Sequence, residues 1–316
     1  MAKKKAQEET ASQKYWRERE EEQRKKNITD EAEYQKEIER IYNSMLDAIE
    51  KEINGFYARY AKKEGITMAE AKKRVAKLDI EAYERKAAKY VKEKNFSEQA
   101  NEEMRLYNLT MKVNRLELLK ANIGLELVSG FDELQKFFEE KLDERTINEF
   151  ERQSGILGKS VRGAENKAHS IVNASFHNAR YSDRIWMYQD MLKAELDSLL
   201  SEGLIQGRNA RVLARHLRRR FGVSQYNAER LMITELSRVQ TEAQRQSLER
   251  NGYEEYTFLA EGTACPVCRT LNNKVFKVAK MLPGTNAPPM HPLCRCSTAG
   301  YMSRDEFEAL VRTFGR

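Results

Sequence analysis

The amino-acid sequence predicts a mainly α protein, an elongated helical bundle that ends in a small cysteine-bearing α+β unit. Three observations carry this reading. All five prolines (Pro266, Pro283, Pro288, Pro289 and Pro292) fall in the last 52 of the 316 residues. All four cysteines (Cys265, Cys268, Cys294 and Cys296) lie in the same stretch. Before it, apolar residues recur at steps of three and four, the period of one helix face. Proline is the strongest helix breaker, so a long stretch without any favours continuous helix.

Length and composition set the outer bounds. A chain of 316 residues suggests about two domains, each large enough for a core. With 33% charged and 40% hydrophobic residues it is polar for a globular protein, yet too apolar for full disorder. No run approaches the roughly 18 apolar residues of a membrane span, so no membrane anchor is expected. The opening MAKKKAQEETASQK has no apolar run after its basic residues, so no secretory signal is expected.

Residues 1–28 are dense in Lys, Arg, Glu and Gln, with Tyr15 and Trp16 as the only aromatics. They read as a charged, flexible arm; the rival reading folds them on a partner through those two rings. Residues 29–154 read as an N-terminal helical region. Thr29 or Asp30 can cap its first helix, which carries a stripe of Ile38, Ile41, Met45, Ile49, Ile53, Phe56 and Tyr60 and ends near Gly65. Thr67 to Glu70 form a capping box, residues 79–94 form a further helix, and Ser97 opens a longer one. That last helix carries Met104, Leu106, Leu109, Val113, Leu116, Leu119, Ile123 and Leu127 on or near one face. Such stripes are bundle core.

Gly155, Gly158 and Gly163 mark a boundary or hinge. Residues 155–252 then read as a second helical region. His169 and His177 share a side of one helix, but no nearby carboxylate completes a ligand set. Between Gly203 and Gly252 there are ten Arg, four Glu and no Lys, which is most of the chain's net charge of +7. This stretch reads as two helices: Asn209 caps the first, Gly222 ends it, and Ser224 caps the second. Arg208, Arg211, Arg215, Arg218, Arg219 and Arg220 form a basic stripe opposite Val212, Leu213 and Leu217. Guanidinium offers paired planar donors to phosphate, so a non-specific contact with nucleic-acid backbone is one reading. A solvated face, or a surface for an acidic protein, is the other.

Residues 253–316 read as a small β unit with a terminal helix. Tyr253 to Ala260 and Lys274 to Val278 are strands, 280–292 is a proline-bearing loop, and Ser303 to Glu306 cap the last helix. Cys265-Pro-Val-Cys268 and His291-Pro-Leu-Cys294-Arg-Cys296 give five candidate ligands for one tetrahedral Zn2+. Cys265, Cys268 and Cys294 with either His291 or Cys296 would close the site. Disulfides are disfavoured without a secretory signal. A redox pair lacks the helix N-terminus and βαβ context that lower a thiol pKa. A deaminase-type catalytic zinc would need His-x-Glu, which is missing. A structural Zn2+, one per chain, staples the unit.

The last hundred residues resemble the phage head morphogenesis family, the minor head proteins of tailed bacteriophages. The matching features run in order: Arg230, Thr234-Glu235, Gly252, the strand Tyr256–Leu259, Cys265-Pro-Val-Cys268, Leu271–Phe276 and His291-Pro-Leu-Cys294-Arg-Cys296. Ile233 stands where the family often has Arg, and Ala264 where it often has Thr. The resemblance implies a structural, non-enzymatic protein that associates with the phage portal protein during capsid assembly. It further implies packaging inside the head near the portal, after a phase in the host cytoplasm, and ejection with the DNA. Scaffold or capsid protein is a further candidate partner, and the basic stripe adds double-stranded DNA, contacted without sequence preference. A zinc-dependent nuclease or toxin-like effector using His291 is the alternative, and a DNA-binding regulator a third.

Overall fold

A computed structural model describes residues 11–56, 85–89, 92, 97–99, 101, 115–205 and 210–302. Its helices are α1 (Ala11–Phe56), α2 (Arg115–Leu157), α3 (Ala164–Val172), α4 (Tyr181–Ile205), α5 (Ala210–Arg250) and α6 (Pro266–Leu271). Its strands are β1 (Glu255–Leu259), β2 (Val275–Lys277) and β3 (Ser297–Tyr301). The protein is mainly α with a small C-terminal sheet, as the proline and cysteine distribution predicts. None of the described helices is long and apolar enough to cross a membrane. The expected helix end near Gly65, the Thr67 capping box and the Ser303 helix lie outside the described residues.

The described chain divides into two compact units, and the divisions fall at 34/35, 138/139, 175/176 and 229/230. Each of α1, α2 and α5 therefore contributes one part to each unit. This differs from the sequential blocks 29–154, 155–252 and 253–316. A long helix shows no local signal where it changes neighbours, so composition alone does not mark such divisions.

One unit comprises the described residues of 35–138 and 176–229. Its core is the expected stripe: Ile38, Ile41, Met45, Ile49, Ile53 and Phe56 are buried, as are Leu116, Leu119, Ile123 and Leu127. Tyr42 sits at its centre, edge-on to Phe131 at 5.8 Å and to Phe221 at 6.2 Å. Its hydroxyl lies 3.0 Å from Ser224 Oγ. At Gly130 the Met45 side chain packs so close to the backbone that a Cβ would stand 2.1 Å from its Cγ. Asp183 Oδ2 accepts from the Arg180 N–H at 2.9 Å and so closes the start of α4.

Two expectations are corrected in this region. Gly222 does not end a helix, and Ser224 does not cap one; α5 runs unbroken from Ala210 to Arg250. A glycine in a helix interior costs about 1 kcal/mol against alanine. Burial of Leu217, Phe221 and Ser224 around it outweighs that cost.

The other unit comprises the described residues of 11–34, 139–175 and 230–302. Its sheet has the order β2-β1-β3, with both neighbours antiparallel to β1. Tyr256 pairs with Phe276 on one side and Gly300 on the other. Leu248, Tyr256, Val278, Met281 and Ala287 form one apolar cluster of this unit.

Residues 11–28, expected as a loose arm, are the first turns of α1, and neither Thr29 nor Asp30 caps a helix. Trp16 is buried with Leu259 and Ala299, flanked by Ile156 and Leu157. One of the arm's charges, Glu20, is buried too, while Lys14 and Glu18 stay exposed. Glu20 accepts from Arg152 at 2.7 Å, from Gln244 at 3.4 Å and from Ser297. Glu31 accepts from Arg295 at 2.8 Å. Burial pushes the Glu20 carboxyl above its ordinary range, against the pull of Arg152. Trp16, but not the exposed Tyr15, anchors the segment within the chain itself, a variant of the rival reading.

Candidate metal centre

Five thiol and imidazole groups converge at the end of the sheet, and local turn chemistry places each. Cys265 is the N-cap of α6, with Pro266 in the first helical position, where the missing N–H costs nothing. Its Sγ accepts from the Cys268 N–H at 3.4 Å. This corrects one expectation, since the helix N-terminus judged absent beside the Cys-x-x-Cys is present, though short. The βαβ context is absent, because the sheet here is antiparallel. Asn272 and Asn273 turn the chain out of α6. Asn272 Oδ1 accepts from the Ala260 N–H at 3.0 Å, and Asn273 sits in the left-handed region with φ 61°.

The distal ligands arrive on the proline-bearing loop. Asn286 folds it, accepting from the Leu282 N–H and donating to the Lys280 carbonyl, both at 2.8 Å. Tyr256 Oη donates to the Asn286 carbonyl at 3.1 Å. Leu293 takes φ 63°, and its N–H donates to Thr234 Oγ1 at 3.2 Å. The Pro288–Pro289 peptide is cis.

The resulting geometry fits a metal. His291 Nε2 lies 3.3 Å from Cys265 Sγ and 3.4 Å from Cys268 Sγ. Cys268 Sγ lies 3.9 Å from Cys294 Sγ. A tetrahedral zinc with ordinary bond lengths has sulfur–sulfur edges of about 3.8 Å and sulfur–nitrogen edges of about 3.6 Å. His291 Nδ1 is 2.8 Å from the Pro292 carbonyl, to which it donates, leaving the Nε2 lone pair for the thiols. The groups form two triads, Cys265–Cys268–His291 and Cys268–Cys294–Cys296, which share Cys268. Either could hold a metal ion.

Their electrostatics differ with their surroundings. The Cys268 N–H holds the Cys265 thiol below its usual range. Burial pushes Cys268 up to about 12. A hydrogen bond from Cys296 brings Cys294 down to about 6 and raises Cys296 in return. Burial lowers His291, but the Pro292 carbonyl and the Cys294 and Cys265 thiolates outweigh it and leave it raised. Phe258, Ala264, Met290 and Leu271 pack around the sulfurs. A polar cavity of about 30 Å³ lined by Glu31, Arg145, Gln240 and Arg295 lies behind Cys294 and Cys296. That is room for about two waters.

This ordered set of residues lies in a segment that matches a known family. Residues 194–299 match the family described as Phage Mu protein F like protein. It is a phage head morphogenesis family. The match spans about a third of the chain and contains all five candidate ligands. No curated protein and no solved structure matches the chain.

Inside the Mu F-like segment, the Thr-Glu pair takes up structural work. Thr234 Oγ1 donates to the Arg230 carbonyl at 2.7 Å while accepting from Leu293. Glu235 pairs with the buried Arg238, whose remaining donors satisfy the Ile171 and Val172 carbonyls at 2.8 and 3.0 Å. Those carbonyls close the C-terminal end of α3. The sequence showed Thr234 and Glu235 only as part of a resemblance, and Arg238 only as one of ten arginines.

The basic stripe is narrower than the count of arginines suggests. Arg238 and Arg245 are bound to Glu235 and Glu242. Arg215, Arg218, Arg219 and Arg220 are exposed on α5. Arg218 pairs with Glu50 at 3.0 Å and Arg220 with Glu195 at 3.3 Å. Arg208 and the side chain of Arg211 lie outside the described residues.

Proposed function

We propose that this chain is a structural, non-enzymatic minor head protein of a tailed phage. In this reading it associates with the portal protein during capsid assembly, after a phase in the host cytoplasm. It is packaged inside the head near the portal and leaves with the genome. Scaffold or capsid protein would be its other assembly partners. The observation that carries the proposal is the match of residues 194–299 to a phage head morphogenesis family, with the whole thiol and imidazole cluster inside the matched segment.

The ion we assign to that cluster is one structural Zn2+ per chain. Thiolates and an imidazole at tetrahedral edge lengths suit zinc, and four protein ligands would leave it no open position for a substrate. Its role is to tie α6 to the proline-bearing loop, supplying folding energy to a sheet of only three short strands.

A basic face on α5 adds a contact to DNA phosphate, without sequence preference. Arg215 and Arg219 would lead it, because Arg218 and Arg220 must first release Glu50 and Glu195.

Sedimentation of the chain with purified portal protein tests the central claim, together with its detection in purified particles. Co-migration with the portal and presence in particles is the expected result. Absence from both would overturn the proposal. For the DNA contact, affinity for unrelated duplexes should fall roughly tenfold or more between 50 and 200 mM salt.

A further inference from the structure

A second cluster of ligand groups lies far from the thiols in sequence, and the phage-head reading makes no use of it. Glu139 and Asp143 stand four residues apart on α2, so both carboxylates leave one face of that helix. His169 comes from α3. One oxygen of each acid and one nitrogen of the imidazole lie within 4.8 Å of one another. The expectation that no carboxylate reaches His169 is therefore corrected: the acids come from another helix, which local sequence spacing does not show.

Two features separate this group from an ordinary surface ion pair. Among the described residues, no hydrogen bond or ion pair closes the three groups on one another. Asp143 Oδ1 is shut off from solvent and has no hydrogen-bond partner. An enclosed acceptor with no donor is costly, and proteins rarely leave one so. Burial holds the Asp143 carboxyl above its ordinary range, Glu139 adds to that shift, and His169 opposes it. All of this describes a place short of positive charge. His169 is exposed, which leaves a path for an ion to enter. Asn173 Nδ2 stands 3.4 Å from both ring nitrogens while donating to the His169 carbonyl at 3.0 Å.

We propose that Glu139, Asp143 and His169 form a second metal site, which takes a divalent cation of the manganese or zinc class and ties α3 to α2. Two carboxylates and one imidazole are hard to borderline donors, unlike the soft thiol cluster, so the two centres select by different chemistry. The ion would give Asp143 Oδ1 its missing partner. Water would complete the coordination on the exposed side.

The test uses the full chain, dialysed free of loosely held metal and titrated with MnCl2. The paramagnetic resonance signal of free aqueous Mn2+ reports what remains unbound. One Mn2+ per chain is expected, with binding at least tenfold weaker in both His169→Ala and Asp143→Asn. His169→Ala replaces an exposed side chain and should keep the circular dichroism of the parent, so a folding defect in Asp143→Asn would not blunt the experiment. Cys268→Ser should bind Mn2+ as the parent does, which separates this site from the thiol centre. No Mn2+ uptake up to millimolar concentration would overturn the proposal. Equal uptake by parent and both variants would overturn it too, since that is diffuse attraction by surface acids.

Discussion

Thr234 joins two parts of the chain 59 residues apart with a single hydroxyl. It gives its proton to the Arg230 carbonyl and offers its lone pair to the Leu293 N–H. Leu293 is held in the left-handed region, which costs a non-glycine residue about 1–2 kcal/mol, so it keeps that conformation only while its surroundings enforce it. His291 and Cys294 flank it. Thr234→Ala should therefore leave the ligands present but poorly held, and speed metal loss to a chelator severalfold. Thr234→Ser, which keeps the hydroxyl, should restore the parent rate. Release followed with a colorimetric zinc indicator measures this, with Cys268→Ser as the variant expected to hold no zinc. Equal rates for Thr234→Ala and the parent would show that the loop is fixed by its other bonds alone.

The helices show which physical signals a sequence carries and which it does not. The stripes on α1 and α2 were legible because burial on one face repeats every three or four residues. Strands β1 and β2 and the metal-ligand spacing were legible for the same local reason, whereas β3 at Ser297–Tyr301 was not anticipated. The first turns of α1 were not, because what buries Trp16, Glu20 and Glu31 lies at Leu259, Ser297 and Arg295, more than 240 residues away. Glu139, Asp143 and His169 were hidden in the same way. Gly222 misled by propensity: glycine usually stops a helix, but here the flanking core residues hold it. Because nothing lies within 4 Å of a Cβ built on Gly222, Gly222→Ala should stabilise the protein by about 0.5–1 kcal/mol. Gly130→Ala is expected to act oppositely, since its Cβ would stand 2.1 Å from Met45 Cγ. Overpacking of this kind costs roughly 1–3 kcal/mol. Chemical denaturation of the two variants beside the parent gives both signs, and a destabilised Gly222→Ala would show that the residue is needed for more than continuity.

At the scale of the whole molecule, the proposed metal and the long stripes would stabilise different things. The unit with Tyr42 at its centre draws its core from apolar side chains of α1, α2, α4 and α5. The unit with the sheet has Trp16, a short apolar cluster and a polar layer around Glu20 and Gln244. Structural zinc contributes on the order of 10–16 kcal/mol in small metal-folded units, as much as the whole stability of a typical domain. Its removal should matter more to the sheet than any single apolar contact, and little to the Tyr42 core. Treatment with a strong chelator is thus expected to expose 253–302 to protease while most of the helical circular dichroism persists. Refilling with zinc should restore protection. Acid should produce the same opening, because protons compete with the metal for the thiolates and occupancy falls as pH falls. A collapse of the whole helical signal on chelation would instead mean that the two units unfold as one, with α1, α2 and α5 transmitting the loss along their length.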